Sequence, residues 1–146
     1  MMDNAGIFDL GSATVTTALT DSVITSASSA AGASQAFIDR LGGMVSVSLQ
    51  ATFVYGSGGT TCIAYVQTSL DQGVTWIDIA RFDFSTANAT KVANISAAAA
   101  SAPAAVAALG AEGKLDGILG DRLRVKVTST GTYAGNTTIA VRASVR

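Results

Sequence analysis

The stretch Ser69-Leu-Asp-Gln-Gly-Val-Thr-Trp76 carries the clearest turn signal in this 146-residue chain. The carboxylate of Asp71 can accept hydrogen bonds from the N–H groups of a turn, and Gly73 tolerates the positive φ of a tight bend. Trp76 comes at the start of the returning strand, where its large ring is expected to anchor that strand in the core. The stretch therefore predicts a β-hairpin shaped by Ser69, Asp71, Gly73 and Trp76.

The segments on both sides of this turn have the period of two of β-strands, and the first, residues 61–68, is predicted to be apolar on both faces. Their apolar faces consist of Cys62, Ala64 and Val66 in residues 61–68, and of Ala80, Phe82 and Phe84 in residues 76–84. Asp78 falls on the apolar face of the second segment and Asp83 on the opposite face, because their offset is odd. A shared acid–base site of the glycosidase type is therefore not expected there.

Four further segments show the same period of two: residues 44–53, 91–96, 121–128 and 137–145. The clearest is the first, in which Val45, Val47, Leu49, Ala51 and Phe53 alternate with polar side chains. Several short strands with turn signals between them favour an all-β fold, an antiparallel β-sandwich or jelly roll, over any α/β arrangement.

Two regions are less decisive. Residues 1–34 are rich in Ser, Ala and Thr, and we interpret them as an extended N-terminal arm with the first strand or strands; residues 35–146 form the sandwich domain. In the Ala-rich stretch 96–111, Pro103 can begin a short helix that ends before Gly110, since Ala is the best helix former and Pro suits the first helical position. A loop of small residues fits the same stretch, so at most one short helix is expected.

Charge is scarce in this chain. Only 13% of the residues are charged, against about 25% in a typical domain, and the net charge is −1. Such a surface is weakly protected against association, which favours self-assembly, although a Thr-rich β-domain has the same composition. Sparse, balanced charge disfavours direct nucleic-acid binding. Without a signal-peptide pattern or a long apolar stretch, we expect a protein made in the cytoplasm with no membrane partner.

Side chains suited to catalysis are few. The chain contains no His and one cysteine, Cys62, so serine-type triads lack their usual base and the common zinc ligand sets cannot be built. A disulfide within the chain is excluded for the same reason. We therefore predict no enzymatic activity, no metal site and no cofactor.

The hairpin sequence matches the Asp-box pattern Ser-x-Asp-x-Gly-x-Thr-Trp and in this respect resembles the repeated hairpins of sialidases and related propellers. In that family the boxes lie away from the active site. The resemblance thus implies turn stabilisation for Ser69, Asp71, Gly73 and Trp76, and it does not imply catalysis. A single box in a chain of this length does not make a propeller of several blades.

A basic stripe runs along residues 121–128, where Arg122, Arg124 and Lys126 occupy alternate positions. Arg142 is expected near this stripe on a neighbouring strand. The stripe is interpreted either as a solvated strand face or as a docking strip that orients an acidic partner through short-range ion pairs.

Three runs carry a resemblance to a class of proteins: residues 65–80, residues 119–126 and residues 130–135. They look like small virion proteins of tailed bacteriophages and gene transfer agents, and the similarity spans roughly the C-terminal two thirds of the chain. Proteins of that kind decorate or cement capsids, or belong to the neck and tail. The resemblance therefore implies a structural role in a virion, with the chain itself and a major capsid or neck protein as partners.

A carbohydrate-binding β-sandwich module is the alternative from another class. Such a module needs aromatic side chains on an open face, and Tyr55, Tyr65 and Tyr133 are the candidates for stacking on a sugar. A virion subunit is instead expected to bury well over about 1,000 Å² of surface against its neighbours.

Overall fold

The strands pair into two antiparallel sheets, and the apolar side chains of the two sheets face each other across one core. The computed structural model describes residues 6–28 and 34–146, and the described residues contain no helix. The strands are β1 Gly6–Thr14, β2 Ser22–Val23, β3 Ala27–Ser28, β4 Ser34–Gln35, β5 Ser46–Val54, β6 Ser57–Gly58, β7 Thr61–Ser69, β8 Ile77–Phe84, β9 Ala89–Ser96, β10 Gly113–Lys114, β11 Arg122–Thr130, β12 Tyr133–Ala134 and β13 Thr138–Val145. The predicted all-β antiparallel sandwich is confirmed.

The first sheet has six strands in the order β4-β3-β1-β13-β5-β9, and the second has five in the order β10-β8-β7-β11-β2. A two-stranded ribbon of β6 and β12 joins the loops at one end. The chain crosses between the two large sheets after β1, β2, β5, β8, β9 and β11, so neighbours in space are often distant in sequence.

The core lies between the sheets and is filled by the inward side chains of both. Val47, Leu49, Ala51 and Phe53 of β5 are buried, and their counterparts on β11 are Leu123, Val125 and Val127. Burying one such side chain contributes about 1.5–3 kcal/mol, so the alternation itself fixes which face of each strand points inward. Val45 departs from its predicted position, because β5 begins only at Ser46 and Val45 is 62% exposed.

A β-bulge in β8 reverses which side of the sheet the first side chains of the strand point to. Val66 pairs with Ala80 whereas Gln67 pairs with Asp78, which leaves Ile79 as the extra residue. Ile79 is fully buried, and Asp78 lies beside Gln67 on the outer face of the five-stranded sheet. The prediction that Asp78 and Asp83 occupy opposite faces is therefore wrong, because the extra residue reverses the alternation between them.

In its described part, the predicted N-terminal arm contributes strands to both sheets. β1 pairs along its length with β13, and β2 pairs with Lys126 and Val127 of β11. Phe8, Leu10 and Val15 belong to the core. Residues 6–28 and Ser34 thus lie in the sandwich, and the rest of that prediction, residues 1–5 and 29–33, lies outside the described residues.

The Ala-rich stretch between β9 and β10 is a loop, the second of the two alternatives that its sequence left open. Residues 98–108 are all exposed, and a helix there has no apolar surface to pack against. Leu109 fastens the end of the loop to the five-stranded sheet: its N–H donates to Asp78 Oδ2 (3.1 Å) and its carbonyl accepts from Arg81 Nη1 (2.9 Å).

Candidate functional site

The Asp-box hairpin has the geometry that its sequence predicts. Asp71 Oδ1 accepts hydrogen bonds from the Thr75 N–H (2.7 Å) and the Ser69 hydroxyl (3.0 Å). Ser69 Oγ in turn accepts the Gly73 N–H at 2.8 Å, and Gly73 has a φ of 90°. The backbone hydrogen bond from Thr75 holds the pKa of Asp71 below its usual value. These contacts form a closed turn whose polar groups are directed at one another.

Trp76 anchors this turn from outside the core. Its indole N–H donates to the Gly73 carbonyl at 3.0 Å, and its ring is half-buried on the outer face of the five-stranded sheet. The Arg124 guanidinium lies 4.1 Å from the ring centroid, and the Phe37 ring lies 6.0 Å away. The prediction that Trp76 enters the core is wrong, since the cationic strand face provides its packing partner.

The basic stripe of β11 takes part in the same arrangement. Arg122 lies over Phe37 with its guanidinium carbon 5.0 Å from the ring centroid, and Lys126 lies 5.0 Å from the centroid of Tyr65. Arg81 approaches Tyr65 as well, at 5.6 Å. We call this set the cation–aromatic layer: Phe37, Tyr65, Trp76, Arg81, Arg122, Arg124 and Lys126.

Acceptors within the chain engage the cations of this layer. Arg124 Nε donates to Gln67 Oε1 (2.8 Å), and Gln67 Nε2 donates to Asp78 Oδ1 (2.7 Å). Burial lowers the pKa of Arg124, but a guanidinium stays protonated at any physiological pH. Lys126 Nζ lies 3.2 Å from Asp21 Oδ1, and Arg81 pairs with Asp83 at 2.7 Å. Arg122 differs from the other three cations, because its buried Nε has no hydrogen-bond partner among the described residues and lies 3.7 Å from Asp121 Oδ1. The layer covers its own sheet with aromatic rings and cations.

Arg142 does not belong to this stripe. It lies on β13 of the six-stranded sheet, where it pairs in register with Asp9 of β1 and Gln50 of β5. The expectation that it lies beside Arg122, Arg124 and Lys126 is wrong, because β11 and β13 belong to different sheets.

The three tyrosines lie in two separate parts of the fold. Tyr133 is buried, and its hydroxyl donates to the Ser85 carbonyl at 2.7 Å. Tyr55 donates to the Gly58 carbonyl and packs edge-on against Tyr133. These two are structural residues of the loop end, and Tyr65 lies between Arg81 and Lys126 in the cation–aromatic layer. They do not form one open aromatic platform.

The outer face of the six-stranded sheet differs from the outer face of the five-stranded sheet. Cross-strand register places its side chains in rows across β1, β13, β5 and β9; one row reads Ile7, Ser144, Ser48 and Asn94, and the next reads Asp9, Arg142, Gln50 and Val92. Ile7 and Val92 are 73% and 75% exposed. We call this surface the open face.

A trough runs along the open face because its two central strands carry small side chains. Ser48 and Ser144 form the floor between Ile7 on β1 and Val92 on β9. The trough has a volume of about 630 Å³, and Gln50, Asn94 and Arg142 also line it. Sequence reasoning missed this surface, although Ile7 and Val92 are apolar residues at outward positions of otherwise polar faces, and that signal is visible in the period of two.

An ion network bridges the two sheets at the β8–β9 side. Glu112 Oε2 accepts from Lys91 Nζ (2.7 Å) and from the Asp83 N–H (2.8 Å). Burial favours the neutral form of Glu112, but these two hydrogen bonds outweigh it and lower its pKa. The network secures the loop that precedes β10, and each of its charges has a partner.

Cys62 is the remaining group with intrinsic chemistry. It is fully buried in β7, and desolvation raises the pKa of its thiol to about 12. Within residues 6–28 and 34–146 no cluster of three or more His, Cys, Asp or Glu side chains is placed to hold a metal ion. The same residues include no helix long and apolar enough to cross a membrane. Neither protein-family models nor curated proteins match this chain.

Proposed function

We infer that this chain is a structural protein of a tailed-phage-type virion, a capsid decoration or cement subunit that joins neighbouring subunits through its open face. The observation that carries this proposal is the contrast between the two sheet faces. The five-stranded sheet is covered by the cation–aromatic layer, whereas the six-stranded sheet presents a trough with two apolar rims.

The composition supports an assembly role. The open face combines small hydroxyl side chains with Ile7, Val92 and Val54, which is 48% exposed. Its charged residues include Asp9 and Arg142, and Arg146 follows at the end of β13. Interfaces are depleted in charge at their centre and carry polar groups at their rim. The resemblance of residues 65–80 and 119–126 to small virion proteins supports a tailed-phage virion as the particle in which the chain assembles. A position in the neck or tail fits the same surface.

A carbohydrate-binding module is the second candidate, because Gln50, Asn94 and Arg142 offer the trough amide and guanidinium hydrogen-bond donors. Sugar recognition also uses aromatic stacking. Tyr55 and Tyr133 are committed elsewhere, which favours a protein partner over a glycan.

Mass spectrometry and size-exclusion chromatography of the native source test the proposal. We expect the chain to co-migrate with large particles in a fixed, repeated copy number relative to a major structural protein. A stable monomer present only outside any particle would contradict the virion role. Saturable binding of that monomer to a glycan would favour the second candidate.

A further inference from the structure

One edge of the six-stranded sheet is a long strand with a neighbour on one side only. The two large sheets end in β4, β9, β10 and β2; β9 has eight residues, whereas each of the other three has two. Within residues 6–28 and 34–146, β5 is the only strand that pairs with β9. Proteins commonly keep edge strands short to prevent further pairing, and β9 departs from that rule.

Hydrogen bonds at the end of β9 show which backbone groups face away from β5. The N–H of Ala97 donates to the Val45 carbonyl at 2.8 Å, in continuation of the β5–β9 register, so the odd-numbered residues bond to β5. The N–H and C=O of one strand residue lie on the same side, and successive residues alternate sides. Ser96 agrees, because its N–H donates to Asp116 Oδ1 (2.9 Å) and its carbonyl accepts the Gly117 N–H (2.8 Å).

The same alternation leaves a row of outward backbone groups on the rest of the strand. Thr90, Val92 and Asn94 direct their N–H and C=O groups away from β5, and we call this row the β9 edge. In the part of the chain that the structure describes, the Asn94 carbonyl accepts a hydrogen bond from Lys114 Nζ (2.9 Å), and the other groups of the row have no protein partner. The β9 edge is therefore a template for backbone hydrogen bonds.

A groove of about 350 Å³ lies beside the β9 edge, between the two sheets. Residues of β8, β9 and β10 line it, with Phe82 and Ala93 among its apolar residues. Lys91 does not cover the edge, because its Nζ is directed to the Asp83 carbonyl and to Glu112 Oε2. Successive side chains of a strand point to opposite faces, so alternate side chains of an added strand would enter this groove.

From the β9 edge and the groove we propose that β9 binds an extended segment of a partner protein, which adds a strand to the six-stranded sheet and places small or apolar side chains in the groove. Outward N–H and C=O groups recur at every second residue, a repeat of roughly 6.8 Å that another extended backbone matches. A helix uses its own backbone groups internally and does not match it. The edge is a site distinct from the trough, so its test is independent of the particle analysis.

A displayed library of random peptides of about ten residues, selected on the purified full chain, supplies the probe. We expect selected peptides to slow the amide hydrogen exchange of Thr90, Val92 and Asn94 at least about tenfold, because their N–H groups become hydrogen-bonded. The exchange of Val74 in the hairpin should not change. A library that yields no binder at about 1 mM peptide overturns the inference, and so do binders that protect only other amides.

Two substitutions at one position separate backbone from side-chain recognition. Val92→Pro removes an outward N–H and spares the hydrogen bonds to β5, because Pro is tolerated on an edge strand where the N–H faces solvent. It should weaken peptide binding at least about tenfold. Val92→Thr keeps the backbone donor and should bind as the wild type does, and so should Ile7→Lys on the open face. Equal weakening by Val92→Pro and Val92→Thr would overturn the inference.

Methylation of the peptide backbone gives a readout that leaves the protein unchanged. N-methyl groups at every second residue should abolish binding in one register, where the amides face β9, and should be tolerated in the other register. Binding that survives methylation in both registers contradicts strand addition.

Discussion

Single residues determine the shape of this protein at its turns and bulges. The Asp71 carboxylate accepts the N–H of Thr75 in the turn, and Gly73 adopts a backbone conformation that L side chains rarely adopt. Gly11 plays the corresponding part in β1, where it follows the bulged residue Leu10 and its N–H donates a hydrogen bond to Asp9 Oδ1. At both positions the backbone has a positive φ, which favours glycine over other residues.

The charge of Asp71 should stabilise the fold in a pH-dependent way. Its folded-state pKa lies below the usual 3.8, so its contribution is present above that pH and is lost as the pH falls through the lowered value. Asp71→Asn should therefore lower the urea midpoint at neutral pH, and the difference from the wild type should shrink in acid. Asp39→Asn, which removes a carboxylate from a loop, is the control; a difference independent of pH would contradict the role of the charge.

Gly11→Ala should destabilise the fold by about 1–3 kcal/mol. The φ of Gly11 is 104°, and an added Cβ would overlap the side chain of Ile24 and lie 2.8 Å from Ser26 Oγ. Gly110→Ala is the matched control, since a Cβ there meets nothing within 4 Å, and it should change stability by less than about 0.5 kcal/mol. Chemical denaturation measures both; equal effects would show that the bulge does not require glycine.

At the scale of elements, β7, β8 and β11 present an outer face that is stabilised by stacking of cations on rings. Trp76 connects the Asp-box hairpin to β11 through Arg124, so turn and strand are coupled by one contact of 4.1 Å. The hydrogen-bond chain from Arg124 through Gln67 to Asp78 extends this coupling across all three strands.

A double-mutant cycle of Trp76→Leu and Arg124→Met measures that coupling. We expect an interaction energy of about 0.5–2 kcal/mol, the range for a partly desolvated cation–π pair. The cycle of Trp76→Leu with Lys126→Met is the control, because Lys126 lies over Tyr65 instead. Additive effects in the first cycle would contradict a direct contribution of the stacked pair.

The sequence predicted the elements better than their faces. Period-two alternation located β5, β7, β11 and β13, because each has one side in the core. It failed in β8, where the extra residue Ile79 reverses the facing of Asp78, and a bulge leaves no mark in the pattern. It also could not assign Arg142 to a sheet, since strand order depends on crossovers between distant segments.

The whole molecule is one sandwich whose two outer surfaces have different roles. One is closed by its own side chains, and the other is open, with rims at Ile7 and Val92. Between them lies a core that includes Cys62, whose thiol is held neutral by burial. The period of two marks Ile7 and Val92 as outward apolar residues, but it does not place them on one surface, because β1, β5, β9 and β13 come together there from both ends of the chain.

Cys62 therefore reports on the integrity of the whole sandwich. Because burial raises its pKa to about 12, it should not react with a thiol reagent near the ordinary thiol pKa of 9.0 while the chain is folded. Reaction should appear in denaturant together with the loss of near-ultraviolet circular dichroism. Full labelling of the folded chain would show that the two sheets separate readily.

Hydroxyl-radical footprinting of the native assembly and of the dissociated chain tests the central claim most directly, namely that the open face is the docking surface. The account predicts that Ile7 and Val92 lose reactivity on assembly, while Leu70 and Val74 on the Asp-box hairpin keep theirs. Protection of the hairpin or of the cation–aromatic layer, with Ile7 and Val92 equally reactive in both states, would contradict it.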